Sequence, residues 1–188
     1  YPRDINLTRK LGKMGGISYL ARLYALLPKL RGFDVVQVIN PMFLELKAHR
    51  IEPIYHYLRN HNRKIFLAAF GMDYYWVKTC CTTMPLRYSD FNMGQQLRDT
   101  PDALKERKDW LGTDKQQLNE YIANSCHGII AGLYEYWACY QPIFPQKTTF
   151  IPYPIRVSTS NDVVKNKEDG KLKLFIGINK ERSVYKGT

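Results

Sequence analysis

The sequence predicts an α/β protein in which a parallel sheet is covered by helices on both faces. Short apolar or β-branched runs, each closed by glycine, proline or asparagine, alternate with segments whose apolar residues recur at helical spacing. Neighbouring parallel strands need a crossover connection, and a helix is the usual one. With 188 residues, of which 45% are hydrophobic, the chain can bury a core of this kind.

The first two predicted elements are an amphipathic helix and a buried strand. The helix follows Gly15-Gly16 and ends at Pro28. The β-branched run over 34–39 is the first predicted strand, and it stops at Asn40-Pro41. The helix has one predicted apolar face, made of Ile17, Leu20, Ala21, Tyr24 and Leu27.

The second strand is predicted between two less regular segments. Residues 42–62 have mostly helical spacing, although Pro53 is expected to break the segment or to start a fresh helix. The strand covers 64–70 and is closed by Gly71. Residues 72–98 are rich in aromatic residues and turn formers and give no prediction of secondary structure. Long irregular stretches in compact domains are commonly functional.

The alternation continues after residue 98. An N-cap with proline at Thr100-Pro101 and capping-box spacing from Thr113 predict two helices, over about 101–111 and 114–125. A third strand over 127–132 ends in glycine, and a short helix follows it. The carboxyl ends of parallel strands form the ligand-binding edge of such sheets, so the residues after each strand are the candidates for a site.

A change in composition predicts a domain boundary near the C-terminus. The fourth strand, over 148–151, is ended by prolines. Residues 156–171 are polar and are typical of an interdomain linker. A fifth strand is predicted over 173–176. The sequence is therefore divided into an α/β domain over 1–155, the linker, and the beginning of another domain over 172–188.

The charge of the chain calls for an anionic partner. The formal net charge is +11, and residues 1–31 contain seven Lys or Arg against one acid, Asp4. Nucleic acid, phosphorylated sugar donors and anionic lipids would all satisfy this charge. No nucleic-acid partner is expected, because acids are interleaved with the cations over 99–120 and no known nucleic-acid motif is present.

Composition also bears on location. No stretch approaches the roughly 20 apolar residues of a membrane helix, and the N-terminus has no basic leader or apolar run. The four cysteines have neither disulfide-scaffold nor zinc-site spacing. We therefore expect a cytoplasmic protein with reduced thiols and no metal.

Five segments, taken in order, resemble the retaining GT-B glycosyltransferases of family 4. The resemblance covers residues 33–188. FDVVQVINP is similar to the family's acceptor-domain strand DVVHVHSP, and NRKIFLAAFG to the next strand, which usually ends in His-Gly. SCHGIIAGLYEY resembles ADAIIAVSEA, KTTFIPYPI resembles KVxVIPNGV, and LKLFIGINKERSVYKGT resembles the opening FVGRxxxxKG of the nucleotide-sugar domain.

The resemblance implies a Rossmann-like, acceptor-side GT-B half, truncated at both ends, with the first strand of the second domain at its C-terminus. It implies a hexosyltransferase-like enzyme that moves a sugar from a nucleotide-sugar to a glycan or lipid-linked acceptor, with no metal. The sugar transfer would take place in the cytoplasm, and the enzyme would contact the anionic inner face of the membrane peripherally. The family's Glu-x7-Glu segment lies outside this chain, so the chain alone is expected to be inactive.

The resemblance also implies a donor site near the C-terminus. Lys186 matches the family's diphosphate-binding lysine, and Arg182 is the counterpart of its arginine. Cations suit this site because they stabilise the departing nucleoside diphosphate. The spacing departs from the family's, since Lys186 comes nine residues after Gly177, and Lys180 stays a rival to Arg182.

Acceptor contacts are expected from residues that follow the strands, namely Asn40, Asp73 and Glu135. Turn formation explains Asn40 and Asp73 equally well. Phe70 stands where the family commonly has histidine, so no acceptor contact is carried over to it. The aromatic group over 74–76 would suit either sugar stacking or core packing.

Two functions from other classes remain open. A basic nucleic-acid-binding module would bind DNA or RNA with steep salt dependence. A free-standing carbohydrate-binding or regulatory α/β domain would share the fold without transferring a sugar. The residues encoded after Thr188 would separate these readings, because only the enzyme needs a second α/β half with paired glutamates.

Overall fold

A computed structural model describes residues 5, 7–8 and 12–154 of the chain. Helices and strands alternate in the described part, and a short antiparallel hairpin interrupts the order. The helices are α1 (Gly12–Leu26), α2 (Ala48–His61), α3 (Tyr74–Thr82), α4 (Pro101–Trp110), α5 (Asp114–Ser125) and α6 (Tyr134–Tyr140), and a 3-10 turn (Leu27–Lys29) follows α1. The strands are β1 (Val35–Val38), β2 (Lys64–Ala69), β3 (Asn92–Met93), β4 (Gln96–Leu97), β5 (Gly128–Ala131) and β6 (Thr148–Phe150).

Four strands form one parallel sheet in the order β1-β2-β5-β6. Val38 lies opposite Leu67, and Leu67 lies opposite Ile129, so apolar side chains form one row across three strands. The predicted α/β class with a parallel sheet is confirmed. The four predicted strands that fall within the described residues agree with the observed ones to within one or two residues at each end, which is the usual fraying of element boundaries.

The two faces of the sheet differ in how far their side chains are buried. Each crossover leads to the next strand in the same direction, and right-handed crossovers of this kind place all connecting helices on one side. Side chains that point to that side, including Ile65, Leu67 and Ile129, are buried. On the other side Val35 is 58% exposed, and Ile39, which follows β1, is 64% exposed. For the described part of the chain, a parallel sheet flanked by helices is confirmed, and helices on both faces stay a prediction.

The expected effect of Pro53 on the second helix is also wrong. Pro53 lies inside α2, which begins at Ala48 and continues to His61. Proline removes one backbone donor from the helix interior, but Ile54 and Leu58 on the same helix are buried in the core. The apolar packing of α2 outweighs the loss of one hydrogen bond. Residues 42–47, which were predicted to be helical, precede α2 and do not belong to it.

The predicted apolar face of the first helix is wrong in part, because Leu27 is buried as expected but the face that packs is centred on other residues of α1. Tyr19, Leu23 and Leu27 are buried, whereas Ile17 and Tyr24 are 62% and 57% exposed. The helix carries apolar residues around most of its circumference, so helical spacing alone does not select one face. Packing against the rest of the core makes that selection.

The stretch over 72–98, which gave no prediction, contains α3 and the β3-β4 hairpin. Buried Asn92 organises the hairpin, because its side-chain nitrogen donates to the carbonyls of Leu86 and Gly94, each at 2.8 Å. Ser89 is also buried, and its hydroxyl accepts from the backbone N–H of Phe91 at 3.0 Å. Side-chain hydrogen bonds thus define this segment where periodicity could not.

Candidate functional site at the strand ends

The carboxyl ends of β1, β2, β5 and β6 lie along one edge of the sheet, as parallel pairing requires. The segments that follow β1, β2 and β5 contain the three predicted acceptor contacts, Asn40, Asp73 and Glu135. Their placement decides which of their polar atoms can reach a ligand at this edge.

Asn40 joins the loops that follow β1 and β2. Its side-chain nitrogen donates to the carbonyl of Met72 at 3.0 Å, and its side-chain oxygen accepts from the backbone N–H of Met42 at 2.8 Å. Both ends of the amide are therefore engaged within the protein. In this arrangement Asn40 holds the two loops together. A direct contact between Asn40 and a ligand stays a prediction.

Asp73 is the N-cap of α3 and is completely buried. One carboxylate oxygen accepts from the backbone N–H of Trp76 at 2.9 Å, and the other accepts from the hydroxyl of Tyr140 at 2.9 Å. Burial raises the pKa of Asp73 to about 6, although the hydrogen bonds from Trp76 and Tyr140 oppose the rise. The carboxylate faces the protein interior, so a ligand contact by Asp73, which stays a prediction, would require it to leave these partners.

Glu135 lies in the first turn of α6 and is half-buried. Its neighbour Tyr136 is also half-buried, and burial is the main reason that the pKa of the Tyr136 phenol is raised. The negative charges of Asp73, Glu135 and Asp90 raise that pKa further. Carboxylates from three parts of the chain therefore act in the same direction on this one phenol.

Asp90 and Trp76 are site candidates that the sequence did not single out as a pair. The indole N–H of Trp76 donates to a carboxylate oxygen of Asp90 at 3.2 Å. The Trp76 ring also packs against Tyr136, with 5.3 Å between ring centroids. Asp90 lies in the stretch that gave no prediction, and its contact with α3 depends on the fold of the hairpin, so no local pattern could have identified it.

Gly132 keeps two aromatic rings close to the ends of β2 and β6. A Cβ atom at this position would lie 2.9 Å from the Tyr153 ring and 3.0 Å from the Phe70 ring. These rings contact each other edge to face, with centroids 5.0 Å apart. Phe70, which replaces the family's histidine, therefore contributes a ring to this edge and no polar group.

These side chains make up what we term the strand-end cluster, which combines aromatic rings with carboxylates. Aromatic faces pack against C–H groups, and carboxylates accept hydrogen bonds from hydroxyls. The arrangement thus suits a ligand rich in hydroxyl groups. The cluster comprises two groups in contact, Phe70 with Tyr153 and Trp76 with Asp90 and Tyr136, together with Glu135 beside Tyr136.

The predicted donor residues Arg182 and Lys186 lie outside the described residues, as do the linker over 156–171 and the segment over 172–188. In the described part, no group of three or more His, Cys, Asp or Glu could hold a metal ion. Cys80, Cys81, Cys126 and Cys139 are free thiols. Among the described helices, none has the length and apolar character needed to cross a membrane.

Comparison with known proteins adds no relative. No family model, no curated protein and no solved structure matches this chain.

Proposed function

We propose that this chain is the acceptor-side part of a retaining GT-B glycosyltransferase of the family 4 type. The enzyme would move a sugar from a nucleotide-sugar donor to a glycan or lipid-linked acceptor. In this proposal the strand-end cluster binds the acceptor, and the segment over 172–188 begins the donor-binding half.

One observation carries the proposal. Four of the five segments that resemble the family fall, apart from Ile155, within the described residues, and they contain β1, β2, β5 and β6. These strands are adjacent and parallel in the same order as the segments. The segments that carry the resemblance thus form one sheet, and the residues that close them lie along the edge where such sheets bind ligands.

The chemistry of the cluster supports a glycan acceptor. A sugar presents hydroxyl donors around its ring and C–H groups on its faces. Asp90 and Glu135 supply acceptors, and Tyr136 and Tyr153 supply aromatic surface that is half-buried or exposed. Binding by these groups would orient the acceptor hydroxyl, and orientation is a large part of the rate enhancement in bimolecular reactions.

Departure of the nucleoside diphosphate is assigned to the other half of the enzyme. Arg182 and Lys186 would stabilise the charge that gathers on the diphosphate as the sugar leaves. No metal is required for this role. Because the Glu-x7-Glu segment of the family lies outside this chain, we expect the chain alone to bind acceptor weakly and to catalyse no transfer.

A carbohydrate-binding module without transfer activity is the second candidate, and the same cluster favours it. The nucleic-acid-binding alternative fits less well, since Asp90 and Glu135 would repel phosphates at the strand ends. The net charge of +11 is its main support.

Screening of the labelled chain on a glycan array tests the proposal. We expect binding to a subset of neutral or amino-sugar glycans, and loss of that binding in Asp90→Ala. Glu52→Ala, which removes an exposed carboxylate from α2, is the matched control and should bind as the wild type does. Failure to bind any glycan, together with salt-sensitive binding to single-stranded DNA, would overturn the proposal in favour of the nucleic-acid module.

A further inference from the structure

The amino ends of three neighbouring strands carry basic side chains. Lys64 is the first residue of β2, His127 directly precedes β5, and both are exposed. Lys147 directly precedes β6, Arg59 lies near the end of α2, and both are half-buried. Because β2, β5 and β6 are neighbours and parallel, these side chains lie along one edge of the sheet, opposite to the strand-end cluster. We refer to Arg59, Lys64, His127 and Lys147 as the amino-edge cluster.

His127 is fixed on the start of β2 by two hydrogen bonds. Its backbone N–H donates to the carbonyl of Ile65 at 2.8 Å, and its side-chain Nδ1 accepts from the backbone N–H of Ile65 at 2.9 Å. An acceptor nitrogen carries no proton, so the neutral ring has its proton on Nε2. Loss of hydration lowers the pKa of His127, and the positive charges of Arg59, Lys64 and Lys147 lower it further. At pH 7 the exposed ring is therefore neutral and has an N–H donor at Nε2.

Arg59 and Lys147 are held against the segment that leads into His127. The Nε of Arg59 donates to the carbonyl of Ser125 at 3.0 Å, and the Nζ of Lys147 donates to the carbonyl of Asn124 at 2.8 Å. Both bonds stabilise the C-terminal end of α5, where cations are favourable. The bond from Arg59 occupies one of the five N–H donors that a guanidinium has. Side chains that are already held in place lose little entropy when a ligand binds.

The charge of the cluster is not neutralised within the protein. In the part of the chain that the structure describes, none of Arg59, Lys64 and Lys147 forms an ion pair with a carboxylate. Asp34, which precedes β1 at the same edge, pairs with Arg63 at 3.4 Å. Parallel strands lie about 4.8 Å apart, so three strand starts span about 10 Å. The cluster thus offers three positive charges and a neutral donor to a compact anion.

We propose that the amino-edge cluster binds the phosphate or diphosphate group of a small ligand. The Nε2–H of His127 and the guanidinium of Arg59 would donate to phosphate oxygens, because planar and charged donors suit this acceptor. The ammonium groups of Lys64 and Lys147 would supply the remaining charge. The site lies at the opposite edge of the sheet from the proposed acceptor site, and its residues are not those proposed for the donor diphosphate. This inference does not depend on the sugar-transfer proposal.

Other anions fit this cluster less well. A carboxylate has one negative charge and two oxygens, which is less than three cations and an imidazole donor can satisfy. Proteins that bind single-stranded nucleic acid place cations along a groove and add aromatic rings on which bases stack. Here the ring beside Lys147 is Phe144, which is half-buried and lies 5.2 Å from the Lys147 ammonium. A phosphate or diphosphate matches the charge of the cluster without needing a stacking surface.

An NMR titration tests the inference. The isotope-labelled chain is titrated at constant ionic strength with inorganic phosphate and then with pyrophosphate, and proton–nitrogen correlation spectra follow the imidazole nitrogens. We expect the Nε2 signal of His127 to shift and to saturate, with pyrophosphate binding more tightly than phosphate because it carries more charge. His49, which is exposed at the other end of α2, is the internal control and should not shift.

A pair of charge-matched variants makes the test specific. Lys64→Gln should weaken pyrophosphate binding about tenfold, since a charged partner of the anion is lost. Lys105→Gln removes the same charge from an exposed position on α4 and should retain the wild-type affinity. The same titration gives the affinities of both variants.

Three results would overturn the inference. One is the absence of a saturating shift at His127 in the wild type, and another is equal weakening in both variants, because net charge alone would then attract the anion. The third is a single-stranded DNA oligonucleotide that saturates the same signals at lower concentration than pyrophosphate, because the edge would then bind nucleic acid. Backbone spectra check that each variant is folded. If Lys64→Gln does not fold, the titration of the wild type can still refute the inference.

Discussion

Tyr140 donates a hydrogen bond to Asp73 over 2.9 Å, and both side chains are completely buried. The bond connects the beginning of α3 to the end of α6. Asn119 on α5 extends it, since its side-chain nitrogen donates to the Tyr140 oxygen at 3.2 Å and its oxygen accepts from the backbone N–H of Tyr74 at 2.9 Å. Three helices are thus fixed relative to one another beneath the strand-end cluster.

Asp73→Asn should change the pH dependence of stability. Because burial raises the pKa of Asp73 from 3.8 to about 6, the native state binds a proton more tightly than the unfolded state between these values. The stability that Asp73 contributes is therefore largest below the unfolded pKa and decreases as pH rises through the folded pKa. The decrease in unfolding free energy is about 3 kcal/mol.

Urea unfolding of both proteins, at steps from about pH 4 to about pH 8, measures this difference. Wild type should lose stability relative to Asp73→Asn as pH rises, with most of the change complete by about pH 7. A constant difference in unfolding free energy across the range would mean that Asp73 has an ordinary pKa.

Tyr140→Phe should destabilise the chain by about 1–3 kcal/mol, because the buried carboxylate of Asp73 and the amide of Asn119 each lose a partner. Tyr134→Phe is the control, since Tyr134 is 59% exposed at the start of the same helix. Chemical denaturation measures the unfolding free energy of both variants. Tyr140→Phe should lower the unfolding free energy by less in Asp73→Asn than in wild type. Equal decreases in the two proteins would exclude coupling between Tyr140 and Asp73.

Gly132→Ala should destabilise the chain by about 1–3 kcal/mol, because the added methyl group would overlap the rings of Phe70 and Tyr153. Gly71→Ala is the matched control, since a Cβ atom there meets only the side chain of Asn40, at 3.8 Å. Thermal unfolding compares the two variants. Equal midpoints would show that Tyr153, which is 43% exposed, moves aside without cost.

Asp90→Asn should weaken glycan binding about tenfold while leaving stability within about 1 kcal/mol of wild type, because hydrogen bonds to a charged acceptor are stronger than those to a neutral one. The amide can still accept from the Trp76 indole, so the local structure should be retained. Titration calorimetry with the best glycan from the array gives the affinities. Unchanged affinity would remove Asp90 from the proposed acceptor site.

The parallel sheet could be predicted from the sequence because its strands are short apolar runs with clear stops. The run over 64–70 and Gly71 illustrate this, since the observed strand is β2 (Lys64–Ala69). The start of α4 was equally readable, because the Thr100 hydroxyl accepts from the backbone N–H of Ala103 as an N-cap should. Local chemistry fixes these features, so one segment of sequence is enough to predict them.

The packing of α1 and the continuation of α2 through Pro53 depend on the rest of the fold. Spacing indicated Ile17 as a core residue, but Tyr19 occupies the core and Ile17 is exposed. The site shows the same limit. Position after a strand correctly led to the edge where Asn40, Asp73 and Glu135 lie, yet it could not reveal that Asp73 faces inward and that Asp90 contacts Trp76.

Sugar transfer by the complete product of the gene that encodes this chain tests the proposed function most directly. The protein is incubated with a panel of nucleotide-sugars and with the glycans bound by the array, and the products are analysed by mass spectrometry and proton NMR. The proposal predicts one added sugar whose anomeric configuration matches that of the donor. Glycan binding without transfer from any donor, or a product of inverted configuration, would contradict it.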